Sequence, residues 1–571
     1  MNRTRYCLTV ALVLIVATSN AQIFGGNPPS LKFYELNTDT VRIIFPKPLE
    51  KQAREAAWIS HQLVKGSTAT LSNKLRKFNV VLQNQTTASN AYVGAAPWRS
   101  EFYMMPDLSN LGSGAVPWHQ YLSLHEFRHT EQFSNFNRSI PKIASFFFGQ
   151  EGQAVAMNLA VPDWLWEGDA VWQETVNSEQ GRGRIPLFFN AYRSLWLDGK
   201  NYSYQKLRNG SLQHYVPNHY DLGYLLVSYG REKYGNDLWT KVNNDALDFK
   251  GLFYPYQQAV KRHTGIKYKQ FVKDAFNWYK DEMKTSDAKP YQTLQPITKP
   301  SKNNVVSYQY PFVEDEGSII ALKSGYRQIP VWVRIDSSGN EKKLRVKDIA
   351  DDSYYSYKKG QVVYTAFATD PRWGWKTYSE LKIWNPTIGK VKKITTKTRL
   401  FMPDLSPDAE KVIAVNAGTD QQTNLQLIGL YDSTNLALPN PNQYTFTYPR
   451  FTADGSSIIS AVRNAKGEMA LLQTDIASNN EQLLMPFSNA LLAYVQVAGD
   501  TLLFTSSQNG TDVLYMYDTK QKTLFKAAQL PNGNYQASFD AKTQTLIWHT
   551  FTTDGNMLLK QKLQEVVCIK N

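Results

Sequence analysis

The amino-acid sequence predicts a multidomain protein, an α+β domain followed by an all-β domain of the six-bladed propeller type. Three observations carry this. The chain has 571 residues, more than one ordinary core accommodates. Its texture changes at residues 286–304, a stretch rich in Pro, Ser, Thr and Asn that has the composition of a linker. After that stretch the helical periodicity stops, and turn-plus-strand units recur about every 45 residues.

The N-terminal segment MNRTRYCLTVALVLIVATSNAQ has Arg3 and Arg5 ahead of an apolar run, then Ser19-Asn20-Ala21. This is the pattern of a secretory signal peptide over residues 1–21, so the protein is expected to be exported to the periplasm or the extracellular space. The apolar run is shorter than a bilayer span requires and no later segment qualifies, so no integral membrane segment is expected after cleavage. Cys7 would leave with the signal and Cys568 would remain alone, which excludes an internal disulfide in the mature chain. The formal net charge is +14, but its Lys and Arg residues are scattered. Together with export, that argues against nucleic acid as a partner.

Residues 22–285 are expected to form the first domain. FYELNTDTVRIIFP alternates as a strand at Val41 to Phe45, and an apolar helical face runs from about Pro48 to Leu75. A strand follows at Val80 to Leu82, then an extended region ending at Pro106, and from Trp118 to about Lys284 the pattern is mostly helical. Residues 305–571 contain the repeat, with anchors at Gly317, Gly360, Ala409, Gly455, Gly499 and Ala541 spaced 42 to 49 residues apart. That period is a propeller blade's, and the short strands after each anchor suit four strands per blade. The units around Ser406-Pro407-Asp408 and Ala453-Asp454-Gly455 resemble the repeat of TolB-type propellers.

Ser123 to Gln132 reads SLHEFRHTEQ. On a helix, His125 and His129 are neighbours on one face and both can reach a single ion, with Glu126 beside them. Catalytic zinc takes three protein ligands and leaves a position for water, so a third ligand is required. The metzincin continuation is excluded, because Gln132 and Asn135 stand where Gly and His would be needed. Downstream lies PDWLWEGDAVWQET, residues 162 to 175, whose Asp163 can cap an amphipathic helix.

With these two motifs the chain resembles the gluzincin zinc metallopeptidases, most closely the peptidase MA-like branch, in which a Trp-Leu-x-Glu-Gly-x-Ala helix supplies the third zinc ligand. Trp164 to Ala170 matches that pattern position by position. The resemblance implies a zincin-like fold for the first domain, with Zn²⁺ held by His125, His129 and Glu167. It implies Glu126 as general base, and Glu174 as the carboxylate that orients a ligating histidine. Tyr220, in Tyr220-Asp221-Leu222-Gly223, is similar to the tyrosine that stabilises the oxyanion in aminopeptidase-type gluzincins. The region from Gly94 to Met105 occupies the place of the edge strand in those enzymes. Arg128 and Glu131 depart from the pattern, being charged where such helices prefer uncharged residues, and the step from His129 to Glu167 is longer than in the aminopeptidases.

The expected function is peptide-bond hydrolysis by an exported zinc metallopeptidase acting on a peptide or protein, with a propeller that docks substrate or a protein partner. The alternative is a propeller-based binding or scaffold protein whose zincin-like half is structural or inactive. The intact Glu126 favours the enzyme, since a structural site needs no base beside the metal.

Overall fold

The protein is described from a computed structural model covering residues 25–66, 71, 75–251, 253–283, 294–301, 304–314, 316–508 and 510–563. The expected signal peptide, Cys568 and part of the 286–304 stretch lie outside the described residues.

Val41, Ile43 and Phe45 alternate with more exposed residues on β2 (Val41–Pro46), so the strand has one face to bury. Its neighbours are β1 (Phe33–Asn37) and β3 (Phe78–Gln83), followed by β5 (Trp98–Met104) and β4 (Ser89–Ala95). The sheet order is β1-β2-β3-β5-β4, with β2-β3 and β3-β5 parallel and the two outer pairs antiparallel. Val80, Leu82, Phe102 and Met104 continue the buried face begun by β2. Against it pack α1 (Glu50–Gly66), through Ala53, Ala56 and Leu63, and α2 (Trp118–Phe136), through Tyr121, Leu122, Leu124 and Phe127. The helix expected to run to Leu75 is described from Glu50 to Gly66, and most of residues 67–74 lie outside the described residues.

A second, helical core lies beyond α2. It joins α4 (Asp163–Val176), α6 (His219–Tyr234), α7 (Leu238–Leu247), α8 (Pro255–Thr264) and α9 (Tyr268–Met283), with Trp164, Trp239, Tyr256 and Phe271 as its bulkiest members. Two further long helices belong to the domain, α3 (Ser139–Ala160) between α2 and α4, and α5 (Pro186–Leu197) after α4, with short helical turns at Asn110–Ser113 and Tyr204–Asn209.

The chain from Gln295 onward forms six four-stranded antiparallel sheets. The first is Val306–Val313, Ile319–Gly325, Gln328–Ile335 and Glu341–Val346. All six repeat anchors fall in the turn between the first and second strand of a sheet, and Gly317, Gly360, Gly455, Gly499 and Ala409 take the left-handed φ that this turn requires. The C-terminal domain is thus a six-bladed β-propeller. Its last sheet takes only three strands from the C-terminal end. The fourth is Gln295–Pro296, inside the stretch expected to be a linker, which pairs antiparallel with Gly555–Lys562.

In five of the innermost strands the ladder slips by a bulge, and there Tyr310, Met402, Tyr448, Tyr494 and Gln536 take φ between 50° and 56°. Three of these tyrosines, with Tyr354, form a closed ring of aromatic contacts around the propeller axis. The successive centroids of 310–354, 354–448, 448–494 and 494–310 lie 5.4, 6.2, 5.2 and 6.3 Å apart. The segment between β5 and α2 seals the same end, with Met105, Leu108, Leu111 and Ala115 packed in one hydrophobic core with Phe401, Phe446 and Leu492. Asn110 adds buried hydrogen bonds from its Nδ2 to Thr447 Oγ1 at 2.8 Å and the Leu492 carbonyl at 2.6 Å. The two domains share this core and are also joined by polar contacts, among them Thr87 with Thr377, Gln180 with the Gly467 carbonyl and Arg399 with the Gln85 and Thr86 carbonyls.

Candidate metal centre

The two motif helices meet at the junction of the sheet lobe and the helical lobe. Helix α2 turns one side to the sheet, which leaves His125 and His129 facing α4. Helix α4 crosses α6 at two glycines, both within the quoted motifs. A Cβ on Gly168 would lie 2.1 Å from the Gly223 carbonyl carbon, and a Cβ on Gly223 would lie 1.9 Å from the Trp164 oxygen. No other residue permits that approach, which sets Glu167 and Tyr220 beside the histidines. The first turn of α6 is fixed by Asn218, whose Oδ1 accepts from the Tyr220 and Asp221 backbone N–H groups at 2.8 and 3.1 Å.

Three donor atoms converge. His125 Nε2 and His129 Nε2 are 3.3 Å apart, and each lies 3.4 Å from Glu167 Oε2. Ligands about 2.0–2.1 Å from a tetrahedral ion are separated by about 3.4 Å, so this triangle has the dimensions of one face of a zinc-sized site. His125, His129 and Glu167 are thus a set that could hold a metal ion. Both imidazoles are oriented from behind. His125 Nδ1 sits 2.8 Å from Glu174 Oε2, and His129 Nδ1 sits 2.9 Å from Gln132 Oε1. Gln132 offers an acceptor to His129 Nδ1, and His125 Nδ1 meets the Glu174 carboxylate at 2.8 Å and the Arg182 Nη2 at 3.0 Å; a proton on each Nδ1 leaves the Nε2 lone pairs facing the triangle.

The electrostatics suit a cation. Burial disfavours charge on His129, yet Glu167 and Glu126 outweigh it and its pKa rises to about 9. His125 is also raised against burial, by Glu167 and Glu174. Glu167, despite its own burial, is held far below the usual carboxylate range by the two histidines. Glu126 is 5% exposed, its Oε2 has no hydrogen-bond partner among the described residues, and burial raises its pKa. A buried carboxylate oxygen without a donor, next to three converged ligand atoms, is a costly arrangement for a merely structural helix. The Tyr220 ring stacks 6.4 Å from His125, and its hydroxyl is pushed upward by burial and by Glu167.

Several contributors were not expected from sequence. Arg182, in Gly181-Arg182-Gly183-Arg184, donates through Nε to Glu174 Oε1 at 2.8 Å and through Nη2 to Glu174 Oε2 at 3.0 Å, while its backbone N–H donates to Oε1 at 3.0 Å. Its guanidinium lies 4.9 Å from the Tyr220 ring centre. Gln132 entered the sequence reading only as a reason to exclude metzincins. Besides meeting His129, its Nε2 donates to the Trp166 carbonyl and to Asp169 Oδ2, both at 3.1 Å. Arg128, the charged departure, is fully buried. It donates to Asp169 at 2.7 and 3.1 Å and to Glu131 at 3.0 Å, and Arg231 completes the cluster at 2.8 Å from Asp169. The departure therefore fastens α2 to α4 and α6. The sheet's edges are β1 and β4, so of the Gly94–Met105 region only Gly94 and Ala95 lie on an edge strand, whereas β5 is paired on both sides.

No protein-family model matches the chain, and no curated protein matches it. Among solved structures the chain is similar to TolB from Acinetobacter baumannii, with 13% identity and TM-score 0.31 over 45% of this chain and 55% of that one. It is similar to a prolyl endopeptidase with 10% identity and TM-score 0.32 over 52% and 46%, and to an oligogalacturonate lyase in complex with manganese with 16% identity and TM-score 0.33 over 45% and 77%. The chain spans about half the length of the first two. At such identities and scores these likenesses carry nothing to the metal centre.

Proposed function

We propose that this chain is an exported zinc metallopeptidase that hydrolyses peptide bonds. The observation that carries the reading is the 3.3–3.4 Å triangle of His125 Nε2, His129 Nε2 and Glu167 Oε2 beside the unpartnered carboxylate oxygen of Glu126. His125, His129 and Glu167 would hold the ion, and zinc so bound supplies Lewis acidity toward a carbonyl and toward water. Glu126 would take the proton of the attacking water and return it to the leaving amine, roles suited to a carboxylate whose pKa burial raises. Tyr220 holds its proton firmly and can donate a hydrogen bond to the oxygen that gains charge. Glu174 and Gln132 keep the imidazoles in the tautomer that binds metal, and Arg182 keeps Glu174 ionised.

Residues 22–285 would be the zincin-like, gluzincin-type domain, and the propeller a platform for substrate or a protein partner. Metal content of the purified protein and hydrolysis of a mixed peptide library test the reading. The wild type should carry one zinc per chain and cleave peptides. Glu126→Ala should retain zinc and lose activity by a factor on the order of 10³ or more. Zinc well below one per chain, or undiminished cleavage by Glu126→Ala, would overturn it.

A further inference from the structure

A cavity of about 790 Å³ lies between α1, α2, the C-terminal end of α4 and the propeller turns at Lys466 and Asn489. Its volume falls within the ~300–1,000 Å³ of small-molecule sites, and no residue of the metal centre lines it. Two indoles stand in its wall. Trp58 on α1 is 63% exposed, and Trp172 on α4 is held by the Arg231 guanidinium, 3.9 Å from its ring centre. Ile59, Leu63, Leu124 and Val176 add apolar surface. Carboxamides dominate the polar lining, among them Gln62, Gln120, Gln173, Asn177 and Asn489. Gln173 lines the cavity at only 3% exposure, and its carboxamide has no hydrogen-bond partner among the described residues. An amide so placed is costly to fold unless something in the cavity meets it.

We propose that this cavity binds a neutral oligosaccharide of about two to three rings. A pyranose presents an apolar face of C–H groups, which stacks on an indole, and a rim of hydroxyls that each donate and accept. A carboxamide donates and accepts in one plane, and so pairs with adjacent hydroxyls. Other occupants fit the wall less well. A lipid chain would strip water from the carboxamides and return no hydrogen bond. An extended peptide needs main-chain partners, but α1, α2 and α4 spend theirs within the helix. Charge selects against acidic sugars and phosphorylated ligands. Glu55 and Glu179 line the cavity against Lys466, and the hydrogen bond with His119, whose Nε2 lies 2.6 Å from Glu55 Oε2, keeps Glu55 ionised.

Calorimetric titration of the full chain, without its expected signal peptide, tests this with cellotriose, maltotriose and triacetylchitotriose, and with trigalacturonate as the acidic counterpart. At least one neutral trisaccharide should bind with a dissociation constant below about 1 mM, and trigalacturonate at least about tenfold more weakly. Trp58→Ala should weaken binding about tenfold or more with unchanged melting, because that ring is exposed. Gln173→Leu keeps much of the side chain's bulk and removes its hydrogen bonds. It should melt at the same or a higher temperature yet bind at least about tenfold more weakly, a combination that a merely structural glutamine does not give. Three results overturn the proposal: no neutral trisaccharide binds below about 1 mM, trigalacturonate binds as tightly as the best of them, or either variant binds like the wild type. An uncharged tripeptide that binds where no trisaccharide does would give the cavity to a peptide instead.

Discussion

Replacing Gly168 by Ala separates two effects that usually coincide. In an isolated helix the change is favourable by about 1 kcal/mol, because Ala is the better helix former. In this protein the new methyl would lie 2.1 Å from the Gly223 carbonyl carbon and 2.4 Å from its Cα, against backbone that cannot rotate away. Relief to even a tight 3.0 Å contact moves α4 from α6 by about 1 Å, and overpacking of this kind costs about 1–3 kcal/mol. In a domain of this size that lowers the melting temperature by about 2–10 °C. The larger effect falls on the proposed metal site. Glu167 precedes Gly168, and its Oε2 sits 3.4 Å from both Nε2 atoms. A 1 Å displacement leaves that corner outside bonding range for an ion held by the histidines, so zinc affinity should fall by at least about tenfold to a hundredfold. Competition against a chromophoric chelator gives the affinity, and calorimetry of the chelated protein gives the melting temperature. Unchanged zinc affinity in a destabilised Gly168→Ala protein would refute the claim that the glycine contact sets the register of the third ligand. An increase in melting temperature would refute the clash itself.

Glu174→Ala and Arg182→Ala should each lower zinc affinity about 10- to 100-fold while leaving Glu126 and Tyr220 in place; equal affinity in Arg182→Ala would remove that residue from the site's support. Asp169, held at about 2 against its burial by Arg128 and Arg231, contributes stability that is complete above about pH 4 and is lost as pH falls toward 2. Burial lowers His549 to about 3, so the unfolded chain takes up its proton first, and stability declines as pH falls from about 6.5 toward 3. Denaturant melts between pH 7 and 3 should therefore slope less in His549→Gln than in the wild type, and equal slopes would sink the assignment.

The propeller was legible because a blade repeats its turn at a fixed distance, and the anchors from Gly317 to Ala541 are those turns. The site was legible where its chemistry is local. His125 and His129 are one helical turn apart, and Glu167 is marked by the residues around it. What stayed hidden depends on how separate elements approach. Arg182 reaches Glu174 because Gly181 and Gly183 let the turn lie against Thr175 and Tyr224, a contact no spacing announces. Arg128 looked foreign on a metal helix until Asp169 and Arg231 were brought to it from α4 and α6. Gln295–Pro296 has the composition of a linker, and only the open side of Gly555–Lys562 makes it a strand.

That strand also orders events in time. The ring from residue 306 to 562 is closed by Gln295–Pro296, so synthesis must pass Lys562 before the last blade has its fourth strand. Domains form roughly as they emerge during translation. The metal-motif domain is complete by Met283, some 280 residues before the clasp can shut. A chain stalled short of Lys562 therefore carries its earlier blades with Gln295–Pro296 still waiting for the strand Gly555–Lys562. The step most exposed to misassembly is the joining of the two ends, and it comes last.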